Sequence, residues 1–227
     1  MRRGQQGEPP RVGRPAIRAV AFDLGGVLVR NRYEMPILRN AAKALGTTPA
    51  ALHAIMRREL GPLERGKQNE VEFWRLICRR LNRPVPPPRV LRSLWSYRYR
   101  RNVHLNNGVK RLVLALKRAY PVIAISNTIP AHIRVNRALG VYDLFDDVLL
   151  SSEIGLRKPD REIFRRGLRL TGSSARNTLF IDDDMRWVRA ARRSGLCAIQ
   201  FTSVRELKKR LKQYRLVGLT GRQSETN

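Results

Sequence analysis

Four short stretches carry residue types that could do chemistry, and each stands beyond the end of an apolar run. Asp23 follows the run at 17–22 directly and is trailed by Leu24, Gly25 and Gly26. A carboxylate followed by two glycines lets the backbone approach an anion closely, although an aspartate in such a place also serves simply to cap a turn. Ser126-Asn127-Thr128 closes the run at 122–126 and offers a hydroxyl and backbone N–H groups to an anionic oxygen, or else forms an ordinary hydroxyl-capped turn. Lys158 stands in Gly155-Leu156-Arg157-Lys158-Pro159-Asp160, just ahead of a helix-like stretch. An ammonium there would offset negative charge on a nucleophile and its target, whereas a solvated surface lysine is the commoner occurrence. Asp182, Asp183 and Asp184 follow the run at 178–181. Three adjacent carboxylates repel one another, so a hard divalent cation with oxygen ligands accounts for them better than a solvated face does.

The elements that must position these groups are legible from periodicity. Apolar runs of four to six residues at 17–22, 122–126, 148–151, 178–181 and 198–201 are separated, for the most part, by helical patterns. Such runs are expected as parallel strands buried on both faces, which makes the fold class α/β, a doubly wound, Rossmann-like parallel sheet. Helices are expected at 108–119, 130–139, 159–170 with Pro159 in its first turn, 185–194 and 204–214. Between about 33 and 103 the alternation stops. Only helical patterns occur there, at 35–45, 49–60, 70–81 and, beyond the Pro84–Pro88 cluster, 89–100. Roughly 70 residues are too many for one crossover, so an inserted helical unit over the C-terminal edge of the sheet is expected, where open α/β sheets bind their ligands. The expected organisation is a flexible basic tail at 1–15, a core formed by 16–32 and 104–215, the helical insert at 33–103, and a polar tail at 216–227.

Composition bounds the partners. Of the 227 residues 42% are hydrophobic, enough for a sizeable core, while 46 Lys and Arg against 18 Asp and Glu give a net charge of +28. That charge favours non-specific contact with nucleic acid, polyphosphate or other polyanions. Yet arginine is spread evenly along the chain, as an arginine-favouring genome would spread it, and no nucleic-acid-binding module accompanies it. Cys78 and Cys197 lie far apart, belong to no CxxC pair and are expected as inert thiols in a reducing compartment. Arg2-Arg3 lacks a following apolar segment, and no run of about 18 apolar residues occurs, so a cytoplasmic protein without membrane insertion is expected. His53, His104 and His132 lack metal-ligand spacing and are expected to be structural or solvent-facing. Trp95, Tyr97 and Tyr99, interleaved with Arg98, Arg100 and Arg101, read first as helix packing with snorkelling arginines, second as a patch for an anionic or sugar-like ligand.

The order Asp, Ser, Lys, Asp-Asp at successive strand ends resembles the four motifs of the haloacid dehalogenase-like hydrolase superfamily, over about 17–201. The segments FDLGGVLV, AISNT, LLSSEIGLRKPDREIF and LFIDDD look most like the branch containing bacterial α-D-glucose-1-phosphate phosphatase and the N-terminal phosphatase domain of soluble epoxide hydrolase. The resemblance implies a Mg²⁺-dependent phosphatase acting on a small phosphorylated metabolite, for example a sugar phosphate. Asp23 would be the nucleophile, forming an aspartyl-phosphate. Mg²⁺ would be held by Asp23, the Gly25 carbonyl and Asp183, with Asp182 a water-mediated or outer partner. Ser126 and the Asn127 backbone would hold a phosphoryl oxygen, Lys158 would stabilise charge, and the helical insert would be a type C1 cap closing over the site.

Two positions depart from the pattern. Most phosphatases of the superfamily carry a second aspartate two residues after the nucleophile as general acid and base; here it is Gly25. Such help is worth about 10²–10⁴-fold, so esters expelling a stabilised oxyanion (sugar 1-phosphates, acyl or aryl phosphates) are expected to react best. Trp187 stands where many relatives have Asp or Asn, leaving either a thinner metal shell or compensation by Asp184. Two other functions stay open at this point: a metal-independent 2-haloacid dehalogenase, which the acidic fourth motif disfavours, and a catalytically weak scaffold binding nucleic acid through its basic surface.

Overall fold

The computed structural model describes residues 15–30 and 34–216. Most of the expected tails at 1–15 and 216–227, and the start of the helical insert, lie outside those residues. Five strands form one wholly parallel sheet: β1 (Ala19–Phe22), β2 (Val122–Ser126), β3 (Asp147–Leu150), β4 (Thr178–Asp182) and β5 (Cys197–Gln200), in the order β3-β2-β1-β4-β5. The chain winds outward from β1 through β2 to β3, then crosses to the other side of β1 for β4 and β5. The reversal lies between β1 and β4, and a crevice opens at such a switch point.

Period-two alternation sends neighbouring residues of each strand to opposite faces. Val20, Phe22, Val122, Ala124, Leu179 and Ile181 enter one core, whereas Ala21, Ile123, Ile125 and Phe180 enter the other. Both faces are therefore apolar, which explains the nearly unbroken hydrophobic runs. The first core is covered by helices α6 (Asn107–Leu116) and α11 (Val204–Gln213), the second by α9 (Arg161–Thr171) and α10 (Met185–Arg193). Local signals start these helices: the Asn106, Asp184 and Ser203 side chains accept from N–H groups of the first turns of α6, α10 and α11. One expectation is corrected at α9. Pro159 lies before the helix, after a cis peptide bond from Lys158, and Asp160 is the residue that precedes its first turn.

The long segment between β1 and β2 is helical, as its periodicity predicts. It comprises α1 (Glu34–Ala44), α2 (Pro49–Glu64), α3 (Glu70–Arg80), α4 (Pro88–Arg92), a π-helical turn (Ser93–Tyr97) and α5 (Arg98–Asn102). Two boundaries differ from expectation. α2 continues through Gly61 and Pro62 to Glu64, and the stretch expected as one helix at 89–100 is broken by the π turn. Asn69 and Glu72 form a reciprocal capping box on α3. Leu52, Leu63, Phe73, Trp74, Ile77 and Leu91 are fully buried in the same core as the sheet face. Burying each such side chain fully contributes about 1.5–3 kcal/mol, and the helical segment packs chiefly on itself and on the helices at Pro130–Ala138 and Ser151–Ile154. Among the described residues no helix is long and apolar enough to cross a membrane. Cys78 is buried and Cys197 partly so, and both are free thiols.

Candidate active site

The carboxyl edge of the sheet gathers the groups that the sequence set at four separate strand ends. Asp23 is the first residue beyond β1, and its N–H donates to Ile181 O at 2.8 Å, carrying the β1–β4 ladder one step past the strand. The backbone then turns back, with Gly26 N–H donating to Val29 O at 2.8 Å. Gly26 has φ +75°, and a Cβ there would land on the Asp183 carboxylate. This glycine is required twice, by its left-handed conformation and by the space it leaves to that carboxylate.

Lys158 is 1% exposed, and its ammonium lies 2.8 Å from Asp23 Oδ1 and 2.6 Å from Asp182 Oδ2. Burial alone would lower its pKa, but the two carboxylates hold it above the ordinary lysine range. Asn127 fixes this lysine from the backbone side: its Nδ2 donates to Lys158 O at 3.0 Å and its Oδ1 accepts from Lys158 N–H at 2.7 Å. The loop after β2 is in turn tied to the start of α8 (Ser151–Ile154), since Ser151 Oγ accepts from Thr128 N–H at 2.9 Å and donates to Thr128 O at 3.1 Å. Removing the ammonium would leave two buried carboxylates uncompensated, at a cost of roughly 3–5 kcal/mol.

The three adjacent aspartates divide. Asp182 ends β4 fully buried, and both its oxygens are engaged, Oδ2 by Lys158 and Oδ1 by Asp184 N–H at 2.8 Å. Asp184 caps α10, accepting from Arg186 N–H at 2.8 Å, and pairs with the Arg186 guanidinium. Asp183 lines the cleft beside Asp23. Oxygens of Asp23, Asp182 and Asp183 all lie within 4.8 Å of one another. Burial pushes the Asp23 carboxyl up to about 7; Lys158 opposes the rise and Asp182 and Asp183 add to it. Burial, and then the Asp182 charge, push Asp183 up to about 6. Three carboxylates thus share one ammonium, and the shortfall of positive charge is what a hard cation supplies. The donor set fits Mg²⁺, which binds through one or two carboxylates and keeps its remaining positions for water and phosphate oxygens. Asp182, with both oxygens engaged, suits an outer role, and Asp184, committed to Arg186, does not compensate for Trp187.

These groups form the floor of a cleft of about 460 Å³. Asp23, Gly25, Asn127, Lys158 and Asp183 line it; Asp182 and Ser126, the latter 3% exposed at the tip of β2, stand behind the lining. The helical segment supplies the opposite wall, including Leu38, Met56, Leu60, Trp74 and Trp95. Several lining residues carried no sequence signal. Arg157 is bound to Glu64 by an ion pair of 2.8 Å, and Arg186 lies over the Trp187 ring at 5.0 Å. A long separation in sequence hides the Glu64–Arg157 pairing, although Arg157 does adjoin Lys158. His53 and His132 both line the cleft, whereas His104 is exposed and outside the lining. His132 stacks on Tyr99, with centroids 3.8 Å apart, and burial lowers its pKa to about 3. Trp95 packs against Phe73, Trp74 and His132. The aromatic cluster is therefore packing first, with Arg100 and Arg101 exposed; the side chains of Tyr97 and Arg98 lie outside the described residues.

Comparison with known proteins joins this geometry to a family. Residues 17–195 match the model of haloacid dehalogenase-like hydrolases. Sesquiterpene phosphatase astK of Aspergillus oryzae is 38% identical over 61 residues, 27% of this chain and 31% of that protein. Drimenol cyclase drtB of Aspergillus calidoustus is 27% identical over 209 residues, 86% of this chain and 36% of that one. Glyceraldehyde 3-phosphate phosphatase of Methanocaldococcus jannaschii is 35% identical over 63 residues, 27% of this chain and 28% of its own. The matches thus span about a third of the length of these curated relatives. Among solved structures, a HAD-family enzyme of Bacteroides thetaiotaomicron in complex with magnesium and inorganic phosphate has TM-score 0.63 at 22% identity, covering 82% of this chain and 94% of that one. YfnB of Bacillus subtilis, a HAD-hydrolase bound to magnesium, has TM-score 0.69 at 18% identity, covering 87% and 100%.

Proposed function

Because this chain belongs to the haloacid dehalogenase-like hydrolases, we propose that it is a Mg²⁺-dependent phosphatase that hydrolyses a small phosphorylated metabolite through an aspartyl-phosphate on Asp23. The observation that carries this reading is the convergence of Asp23, Asp183 and the Lys158 ammonium in one cleft. The magnesium and phosphate held by the Bacteroides enzyme, and the phosphatases among the curated relatives, support it.

Asp23, Asp183 and the Gly25 carbonyl would hold the Mg²⁺, which when bound neutralises charge on the phosphoryl oxygens. Asp23 attacks phosphorus with a carboxylate oxygen, and the bond from phosphorus to the ester oxygen breaks. Lys158 balances the charge that the nucleophile brings to the transferring group, while Asp182 holds that ammonium in place. The Asn127 backbone would hold a phosphoryl oxygen, with Ser126 reaching it from just behind the lining and the Asn127 side chain orienting Lys158. Water then cleaves the aspartyl-phosphate and releases inorganic phosphate. Gly25 has no proton to give, so the departing oxyanion must be stable in itself or be protonated by solvent. The helical segment from about 33 to 103 would act as a type C1 cap that excludes water from the cleft.

A 2-haloacid dehalogenase reading is the weaker one, since Asp182 and Asp183 would repel a substrate carboxylate. The test is a screen of phosphorylated metabolites with Mg²⁺, comparing the wild-type chain with Asp23→Asn. Phosphate release that requires Mg²⁺ and falls by orders of magnitude in Asp23→Asn is expected. Turnover that survives chelation of the metal, or survives Asp23→Asn, overturns the assignment.

A further inference from the structure

The floor of the cleft is polar and its opposite wall is not. Leu38, Met56, Leu60, Trp74, Trp95 and Trp187 line the space above the carboxylates. At about 460 Å³ that space exceeds what a phosphoryl group alone would fill and falls in the range of pockets that enclose whole organic ligands. A polyhydroxylated ligand needs a hydrogen-bonding partner for each hydroxyl it buries. Here the charged groups beside the apolar wall are already committed: Glu64 to Arg157, Asp184 to Arg186, and the Asn127 amide to the Lys158 backbone. Exposed His53 and Arg57, the Thr128 hydroxyl and the buried Trp74 indole N–H remain, fewer groups than a buried polyol would call for. Buried His132, neutral over the ordinary pH range, adds a further flat surface stacked on Tyr99.

We propose that the organic part of the substrate is apolar, so that the cleft takes the phosphate monoester of a hydrocarbon-rich alcohol or phenol in preference to a sugar phosphate or other polyol phosphate. The inference rests on the phosphatase reading of the same cleft. Gly25 favours the phenol within that class, because a phenol leaves as a stabilised oxyanion without a general acid, whereas an aliphatic alcohol would depend on solvent to protonate its leaving oxygen.

Phosphonates, which are not hydrolysed, separate the shape of the cleft from the chemistry. Calorimetry on the full chain with Mg²⁺ would compare inorganic phosphate with methyl-, butyl- and hexylphosphonate, and propylphosphonate with 2,3-dihydroxypropylphosphonate. Affinity is expected to rise about fourfold per methylene buried, and the dihydroxypropyl compound is expected to bind more weakly than the propyl one. A flat alkyl series, or tighter binding of the diol, overturns the inference while phosphate binding keeps the phosphatase reading alive. Failure of phosphate and of every phosphonate to bind overturns both. Met56, half-buried on the wall, gives the second measurement. Met56→Gln is expected to weaken hexylphosphonate several-fold and leave methylphosphonate unchanged; equal affinity for hexylphosphonate in the two proteins counts against an apolar wall.

Discussion

Asp182, Asp183 and Asp184 stand side by side in sequence and do three different things. The first is pinned to Lys158, the second faces Asp23, and the third caps a helix and holds Arg186. This division governs how stability depends on pH. Asp23 and Asp183 rise from 3.8 to about 7 and about 6, so the metal-free folded chain keeps protons that the unfolded chain releases. The pair therefore contributes stability that is fully present below about pH 4 and is lost as pH rises towards about 7. Mg²⁺ requires the ionised carboxylates and offsets their repulsion. Its addition is expected to raise the unfolding temperature more at about pH 8 than at about pH 5, and to do so far less in Asp183→Asn; equal shifts at the two pH values would contradict that coupling. The acidic cluster was legible in the sequence because three adjacent acids demand a reason. The residues alone did not divide the three: Asp182 is set apart by Lys158 arriving from a loop 24 residues away, and Asp184 by a local pairing with Arg186 in the helix it caps. Asn127 illustrates the same limit: its position was legible, but its grip on the Lys158 backbone depends on a contact across 31 residues.

At the scale of elements, strands and helices were readable from periodicity, and the five strands form at the five runs expected. The end of α2 was not. Gly61 and Pro62 mark a natural terminus, but buried Leu63 and paired Glu64 carry the helix past them. That extra turn sets Arg65 against the lysine loop. Its guanidinium donates to both Asp160 oxygens, at 2.5 and 3.0 Å, and to Gly155 O at 3.2 Å. The fork holds the Asp160 carboxyl below the usual carboxylate range. The pair is partly exposed, and its loss costs roughly 1 kcal/mol of stability, so the greater effect should fall on position. Arg65→Ala is expected to lower kcat several-fold with little change in unfolding temperature. Arg65→Lys should recover only part of the loss, because an ammonium cannot make the fork. An unchanged kcat in Arg65→Ala would show that the loop holds Lys158 without this brace.

For the molecule as a whole, a net charge of +28 contrasts with a site built from carboxylates. Its surface includes an open groove along α11 lined by Arg205, Lys208, Lys209 and Lys212, apart from the cleft residues. An even spread of arginine follows from composition alone, yet the field it makes acts on any anionic substrate. Raising ionic strength from about 0.01 to about 0.15 M shortens the Debye length from about 30 to about 8 Å. Over that range kcat/KM for a phosphate ester is expected to fall several-fold with kcat unchanged. A kcat/KM indifferent to salt would mean that the surface charge takes no part in capture. The net charge was plain in the sequence, but the groove was not, since it depends on which face of α11 is left uncovered.

The helices between β1 and β2 come from one unbroken stretch of chain, while Asp23 and the aspartates are carried by strand ends, and Lys158 by the loop between α8 and α9, outside that stretch. Exchanging the stretch between its two splice points is expected to change most of the apolar wall and leave the reacting groups in place, with Trp187 and His132 of the core keeping their share of the lining. The pairs Arg65–Asp160 and Glu64–Arg157 set the condition on any such graft. A foreign cassette will sit on this scaffold only if it brings a matching arginine and carboxylate, or if residues 157 and 160 are rewritten along with it.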